Sequence, residues 1–591
     1  MEFKPKISEL KIGLLLNSFT IESWVYEIIN NLLKEKNISV DLVVLNDLPN
    51  PKQKINKKVK NNRFGKIKNE LNDNYLFYNY LKWDKNYYKE DIDAFEKKDS
   101  AKILENIEIL LVNPRRTKFS DFIEGEDLKK IQEKKLDVII RFGFRILKGD
   151  IFKSAKYGIW SYHHDDNIDY RGGPGLFWEI YENNPRSGTI LQILNEKLDD
   201  GKVIYRSISN TKKLSFHKNR NQNYWKTSTF ILRRLKHLQK FGWEFIENLE
   251  TYNEKLIYNK GIYTFPNNKQ TLKLHFKLLT RNLILNFREH FFEEYWEIIF
   301  KNKNKKFKIK HEKEHWYADP FPIMNNDKIY LFFEDFNKKE GIGCISFVEL
   351  GGNNKVSKPK IALKESFHLS YPHLFDYGGK YYMIPESKEN NDVRLYEAIE
   401  FPSKWKYVKT LINDIKAVDT TTLFYENKVW LFTNVEKHGS SSWEELYLFY
   451  ANNLFEDWQS HPLNPVISDV SCSRMAGNLF ANSKGEIFRP NQDCSVTYGY
   501  ATNISQITKL NKSEYKEKII KKILPKNLGN YNGTHTYNKI NDIEFYDAKK
   551  LVKNKNYNFI KLFKSNRAIY HHKPIRLYIK HLLKILITGN D

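Results

Sequence analysis

The chain has 591 residues, too many for one compact core, so roughly two to four domains are expected. Hydrophobic residues make up 41%, aromatics 15% and charged residues 29%, enough apolar matter for packed cores, which excludes wholesale disorder. The net charge of +25 would suit an anionic partner, but the lysines are spread through the chain among many Asn and Ile residues, a compositional bias rather than a nucleic-acid footprint.

The start, Met1-Glu2-Phe3-Lys4-Pro5-Lys6, leads to a short apolar strand with no small-residue cleavage site, and no apolar run approaches the roughly 18–20 residues that cross a bilayer. A cytoplasmic protein without a transmembrane segment is expected. Lys11 to Leu16 and Val40 to Leu45 are apolar runs on either side of the helically spaced Ser23 to Leu33, a βαβ pattern. A charged insertion follows at about 48–100; its stretch Lys52 to Lys68 holds eight basic residues and no acid and reads as a solvated loop. Ile107 to Val112, a helical stretch near Gly125 to Lys135, Leu136 to Phe142 and Gly158 to Tyr162 complete an α/β, Rossmann-like parallel sheet. No GxGxxG follows the first strand, so a dinucleotide site is not supported. The α/β domain is placed at 1–210.

From 211 to 305 a helical, basic connector is expected, with Trp225, Leu232, Leu235, Leu238, Phe241, Trp243 and Phe245 near helical spacing. Lys301 to Lys310, with six lysines, reads as a linker. From 306 to 548 the sequence repeats: strands begin at Ile329, Tyr381, Val429, Ile487 and Ile543, spaced 52, 48, 58 and 56 residues apart. That period fits propeller blades of four short strands, so an all-β five-bladed propeller is expected. About ten residues ahead of these strands stand Asp319, His373, Asp419, Asn478 and His535, positions that converge on one channel in such a fold. The remainder, 549–591, reads as a basic helical tail that includes Tyr578 to Leu586. The three cysteines, Cys344, Cys472 and Cys494, match neither a disulfide framework nor a zinc site, so no metal is expected.

The stretch Gly158-Ile159-Trp160-Ser161-Tyr162-His163-His164, then Arg171-Gly172-Gly173-Pro174, Ser187-Gly188-Thr189-Ile190 and Leu198-Asp199-Asp200-Gly201 resembles the formyltransferase family that uses 10-formyltetrahydrofolate. That family includes methionyl-tRNA formyltransferase, glycinamide ribonucleotide transformylase and the sugar N-formyltransferases. The resemblance covers roughly residues 10–206. It implies His163 and Asp199 as the catalytic histidine and aspartate, with Ser161 standing where the family has asparagine. It implies folate recognition by the backbone at Phe142, Gly143, Phe144, Ile146 and Leu147, and a substrate loop of His164, Asn167, Arg171 and Gly172. The expected cofactor is 10-formyltetrahydrofolate as formyl donor. The expected acceptor is a small-molecule amino sugar, nucleotide-linked and used in surface polysaccharide synthesis. No nucleic acid is expected, since the family's tRNA enzymes carry a small barrel where this chain has the repeat, but the basic connector leaves tRNA open; the oligomeric state is not specified.

The repeated region resembles the five-bladed propellers of arabinanases, levansucrases and invertases. On that resemblance Asp319, in Tyr317-Ala318-Asp319-Pro320-Phe321, Asp419 and Glu386 are acids facing a sugar, and His373, Arg489 and His535 line the same channel. Two alternatives to formyl transfer stay open at this point: a catalytically degenerate carbohydrate-binding or scaffold protein, and a glycosidase acting at the propeller funnel.

Overall fold

The structure is a computed structural model that describes residues 5–47, 73–197, 200–249, 260–303, 305–351, 355–437 and 439–554. The chain is multidomain and mostly β, and it divides into two compact units, the first essentially 1–286 and the second 287–557 with 208–210. The basic tail from 555 onward lies outside the described residues.

In the first unit, strands β1 (Leu10–Leu16), β2 (Ile38–Asn46), β3 (Ile109–Val112), β4 (Val138–Arg141), β5 (Ile159–His163), β6 (Arg186–Ile193) and β7 (Lys202–Asn210) form one sheet in the order β7-β6-β5-β4-β1-β2-β3. Pairing is parallel from β5 through β3, and β6 runs antiparallel to β5. The run Leu14-Leu15-Leu16 is continuously apolar because both faces of β1 are covered. Leu14 and Leu16 pack with Ile28 and Leu32 of helix α1 (Ser23–Leu33), while Leu15 packs with Val44, Val112 and Ile139 on the other face. Phe230, Ile231, Leu235 and Leu238 of helix α3 (Phe230–Phe241) join the α1 side. A separate aromatic core gathers Phe77 and Tyr80 of helix α2 (Tyr75–Tyr87), Phe177, Trp178, Phe216, and Leu274 and Leu278 of helix α4 (Asn268–Phe291).

The second unit contains five antiparallel sheets among the described residues. The first three begin with strands β10 (His315–Asn325), β14 (Ser370–Tyr377) and β18 (Ala417–Tyr425), each paired with the next strand in sequence: β11 (Lys328–Asn337), β15 (Lys380–Glu386) and β19 (Lys428–Val435). The fourth sheet is built on β23 (Ile487–Asp493). The fifth joins both ends of the unit, because β8 (Phe292–Asn302) pairs with β27 (Ile543–Lys553) along its whole length.

One irregularity recurs. The register slips between Ala318 and Phe321, between Ser370 and His373, and between Val418 and Thr421, a β-bulge at the same place in three consecutive sheets. The bulged residues Asp319, Tyr371 and Asp419 take left-handed φ values of 52°, 44° and 53°, and Gly477, ahead of the fourth sheet, takes 132°. Their intervals of 52, 48 and 58 residues are those of the strand repeat. A bulge removes its side chain from the ladder and re-aims it, and three of the four are linked to one another. Tyr371 N donates to Asp319 Oδ2 (3.2 Å), and Gly477 N donates to the Tyr371 hydroxyl (2.8 Å).

A Cβ at Gly477 would lie 2.1 Å from the Tyr537 carbonyl, whereas one at Gly485, also at positive φ, would meet nothing within 4 Å. Gly477→Ala is therefore expected to cost the second unit about 2 kcal/mol or more in chemical denaturation, against about 1 kcal/mol for Gly485→Ala.

Candidate functional site

In the first unit, the end of β5 carries the expected histidine. His163 Nε2 stands 3.6 Å from Asp165 Oδ2, whereas Asp199 lies outside the described residues. Ser161 is buried, and its hydroxyl is engaged within the sheet: it accepts from Arg141 Nη1 (3.1 Å) and reaches the Tyr162 carbonyl (3.4 Å). His164 points into the core, stacked on Tyr224 at 3.6 Å and edge-on to Trp24. Burial, and after it the charges of His163 and Arg220, push its imidazole well below the usual range, so it is neutral. Asn167 is buried at φ 59°. Arg171 receives Tyr263 N on its carbonyl (2.8 Å), and a Cβ on Gly172 would stand 2.1 Å from the Tyr263 carbonyl. That loop is shaped by its neighbour Tyr263.

The segment expected to read a folate through its backbone has spent its donors elsewhere. Phe142 N and Gly143 N both donate to the Leu15 carbonyl, Phe144 N to Asn17 Oδ1, Arg145 N to Asp121 Oδ2 and Ile146 N to the Phe119 carbonyl. Arg141 Nη2 caps the Phe144 and Arg145 carbonyls at 3.0 and 2.9 Å, and Leu147, buried, pairs with Asp121 in a small sheet.

The second unit holds the denser site. Asp419, turned inward by its bulge, receives Arg474 Nε on Oδ2 (2.6 Å) and Nη2 on Oδ1 (3.2 Å), with Gln492 Nε2 on Oδ2 (3.0 Å). Both partners of this ion pair are almost fully buried, and Arg474 Nη2 also lies 3.6 Å from Glu386 Oε2. Burial, and then the nearby Asp419 carboxylate, push the Glu386 carboxyl up to about 8. Glu386 thus carries a proton at neutral pH beside Asp419, which is held in its ion pair with Arg474. It also lines a cavity of about 490 Å³ together with His368, Lys388, Glu389, Asn391 and Lys416. The ring of Tyr498 lies under the Arg474 guanidinium at 4.9 Å.

Near this pair is a second cluster, close enough for Asp319 to feel the charge of Asp419. Asp319 accepts from the Thr536 hydroxyl (2.7 Å), and burial pushes its carboxyl up to about 7, with Glu334, Asp547 and Asp419 adding to the rise. His535 donates through Nδ1 to Asp547 and stacks on Trp296 at 4.0 Å. Burial would lower this imidazole, but Asp547 and Asp319 outweigh it and hold the His535 pKa above its ordinary value. Asp319, His535 and Asp547 place possible ligand atoms within 4.8 Å of one another, yet the carboxylate oxygens already accept from Tyr371 N, Thr536 Oγ1, His535 N and Asp319 N. The set is held together by hydrogen bonds.

The other expected channel residues lie apart from the acids. His373, two positions past the bulged Tyr371, bonds Asn478 Oδ1 and Thr422 Oγ1, each at 2.7 Å, and burial lowers it to about 4. Arg489 is buried against Glu517 (2.6 Å) and the Cys472 and Ser473 carbonyls, a tie within the fourth sheet. Sequence reasoning missed Glu334, Arg474, Gln492, Tyr498 and Asp547. Two of these were marked by the repeat: Glu334, Glu386, Asn434 and Gln492 follow one another at 52, 48 and 58 residues.

A family model described as "Glucosamine inositolphosphorylceramide transferase 1, N-terminal" matches residues 304–557. The chain is 36% identical over 243 residues to "Glucosamine inositolphosphorylceramide transferase 1" of Oryza sativa subsp. japonica, covering 40% of this chain and 31% of that protein. It therefore spans about a third of the length of this curated relative. Among solved structures, it is similar to Zg3597, a family 117 glycoside hydrolase of Zobellia galactanivorans (TM-score 0.30, 13% identity, 43% of this chain and 90% of that one). It is also similar to glycinamide ribonucleotide transformylase 1 of Symbiobacterium toebii (TM-score 0.25, 10% identity, 38% and 84%). At such TM-scores the structural likenesses carry no functional argument.

The name of the sequence relatives is that of a transferase, which supports an enzyme, but neither a formyltransferase nor a hydrolase. It overturns the expected formyl transfer to an amino sugar and, with it, 10-formyltetrahydrofolate as cofactor. The backbone at 142–146 agrees physically, since its N–H groups are consumed within the fold. No helix among the described residues is long and apolar enough to cross a membrane.

Removing Arg474 would strand a buried carboxylate. Arg474→Met is expected to destabilise the second unit by about 3–5 kcal/mol in denaturant titration, and adding Asp419→Asn is expected to recover most of that loss.

Proposed function

We propose that the five sheets of the second unit are the blades of a five-bladed β-propeller whose central acids handle a glycoside in glycosyl transfer. The sequence relatives' name supplies the class of substrate: an amino-sugar unit attached to an inositol phosphate glycolipid. The carrying observation is the asymmetry of two neighbouring carboxyls, Glu386 protonated and open to a cavity, Asp419 clamped by Arg474. A carboxyl kept protonated beside an ion-paired one divides the labour of acid and base.

In this reading Glu386 gives its proton to the oxygen that leaves the sugar carbon and takes one back from the incoming hydroxyl. Asp419 with Arg474 fixes the sugar and balances the positive charge that grows on its ring carbon. Lys388 and Lys416, shared with Glu436 at 2.7 and 3.9 Å, flank the cavity and suit the phosphate of such a substrate. Asp319 and His535, both buried nearby, keep the surroundings of the site polar and fixed. The fifth sheet, built from both ends of the unit, closes the ring.

The test is calorimetric titration of the purified chain with glucosaminyl-inositol phosphate, followed by sugar-transfer assays. Glu386→Gln is expected to keep binding within a few-fold and lower turnover by about 10²–10⁴; absence of binding by the wild type rejects the reading. Wild-type turnover is expected to fall as pH rises through about 8, where Glu386 loses its proton. Stability must move the opposite way on substitution. The folded pKa lies above the ordinary 4.5, so burial penalises the ionised form, a cost absent below pH 4.5 and complete above about 8. Glu386→Gln is expected to raise the Tm at pH values above about 8 and to leave it unchanged below 4.5.

A further inference from the structure

Helix α4 is amphipathic twice over. One stripe, Thr271, Leu274, His275 and Leu278, is buried in the aromatic core of the first unit. A second, Leu272, Phe276, Leu279 and Leu283, repeats at intervals of four, three and four residues and therefore lies along a single line of the helix. It is turned away from the core: Leu272, Phe276 and Leu283 are 42%, 68% and 49% exposed. Beside it runs a row of cations at every fourth position, Lys269, Lys273, Lys277 and Arg281, and no acid occurs in the helix before Glu289.

Lys277 and Arg281 are steadied on the carbonyls of Tyr181 (2.6 Å) and Lys213 (3.1 Å), so these contacts leave their charges uncancelled. Partial burial, with Lys273 and Arg281 as cationic neighbours, even pushes the Lys277 ammonium below its ordinary value. The stripe from 272 to 283 extends about 17 Å along the axis.

We infer that this face of α4 seats the protein on an anionic lipid surface, with the leucine–phenylalanine line dipped into the acyl boundary and the lysine row at the level of the phosphates. An apolar line flanked by cations is the pattern that membrane interfaces take up. A second copy of the chain is a poor occupant, because it would bring another row of like charge, on a chain of net charge +25, against this one. The inference concerns where the protein works, and its readout is independent of the sugar chemistry at Glu386.

Flotation of the full chain with phosphatidylcholine vesicles, with and without phosphatidylinositol, tests it. Wild type is expected to bind the anionic vesicles at least ten-fold more tightly than the neutral ones, and less tightly as salt is raised. Phe276→Ser with Leu283→Ser, and separately Lys269→Glu with Lys273→Glu, are each expected to weaken binding about ten-fold or more while melting within a few degrees of wild type. The inference is overturned if the wild type ignores both vesicles, or if both double variants bind as it does. It is overturned equally if only Leu582→Ser with Leu586→Ser in the C-terminal segment abolishes binding, or if the apolar variants merely turn a dimer into a monomer in light scattering.

Discussion

The guanidinium of Arg474 is the charge around which the second unit is arranged. It precedes the fourth sheet in sequence, forks onto Asp419 of the third and lies within 3.6 Å of Glu386 of the second. A buried cation is tolerated only when its donors are matched, and here both oxygens of one carboxylate match it. Burial first, and then the charge of the paired Asp419, makes an ionised carboxylate unfavourable at Glu386. Glu386 therefore keeps its proton. The difference between Glu386 and its ion-paired neighbour is set by burial and by that neighbour's charge, before any substrate is considered.

The bulges explain how such short acids reach one another. In a regular strand Asp319 and Asp419 would alternate with their neighbours and pack against an adjoining sheet. The extra residue turns them inward at left-handed φ, a conformation that costs of order 1–3 kcal/mol for a side chain other than glycine. Hydrogen bonds to the bulged residues offset that strain: Tyr371 N on Asp319, Gly477 N on the Tyr371 hydroxyl, and Gln492 of β23 on Asp419. Strain is thus stored at the centre and held by several sheets at once, which keeps the acids from relaxing toward solvent.

Much of this was legible in the sequence. Intervals of 52, 48 and 58 residues mark strands, bulges and the row Glu334, Glu386, Asn434, Gln492 alike, because each sheet repeats one plan. The sequence pairing of Asp319 with His373 was displaced by two residues, since a bulge leaves no composition signal and Tyr371 does not look like an acid's counterpart. Arg474, Tyr498 and Asp547 were not legible: two lie in connections of irregular length, and Asp547 lies in the fifth repeated strand, β27, one residue past the stretch that shows the repeat. The parallel sheet of the first unit could be read from its apolar runs, whereas the fate of the 142–146 backbone could not, because N–H groups leave no trace in side-chain identity.

That last point separates two kinds of motif. Gly143 and Gly172, read as parts of a folate and substrate apparatus, are explained by packing. A Cβ at Gly143 would lie 2.6 Å from Asn17 N, and one at Gly172 would lie 2.1 Å from the Tyr263 carbonyl. Ser161, at the catalytic asparagine's place in the resemblance, is tied to Arg141, which in turn caps the carbonyls of Phe144 and Arg145. The order of motifs along β4, β5 and β6 therefore encodes how a parallel sheet turns its corners, a constraint that persists whatever chemistry the rim performs. In the second unit the acids on strained bulges around one buried cation are held by hydrogen bonds from several sheets, and Glu386 beside them reaches a cavity, so the same residues that tie the sheets together also present a carboxyl to it.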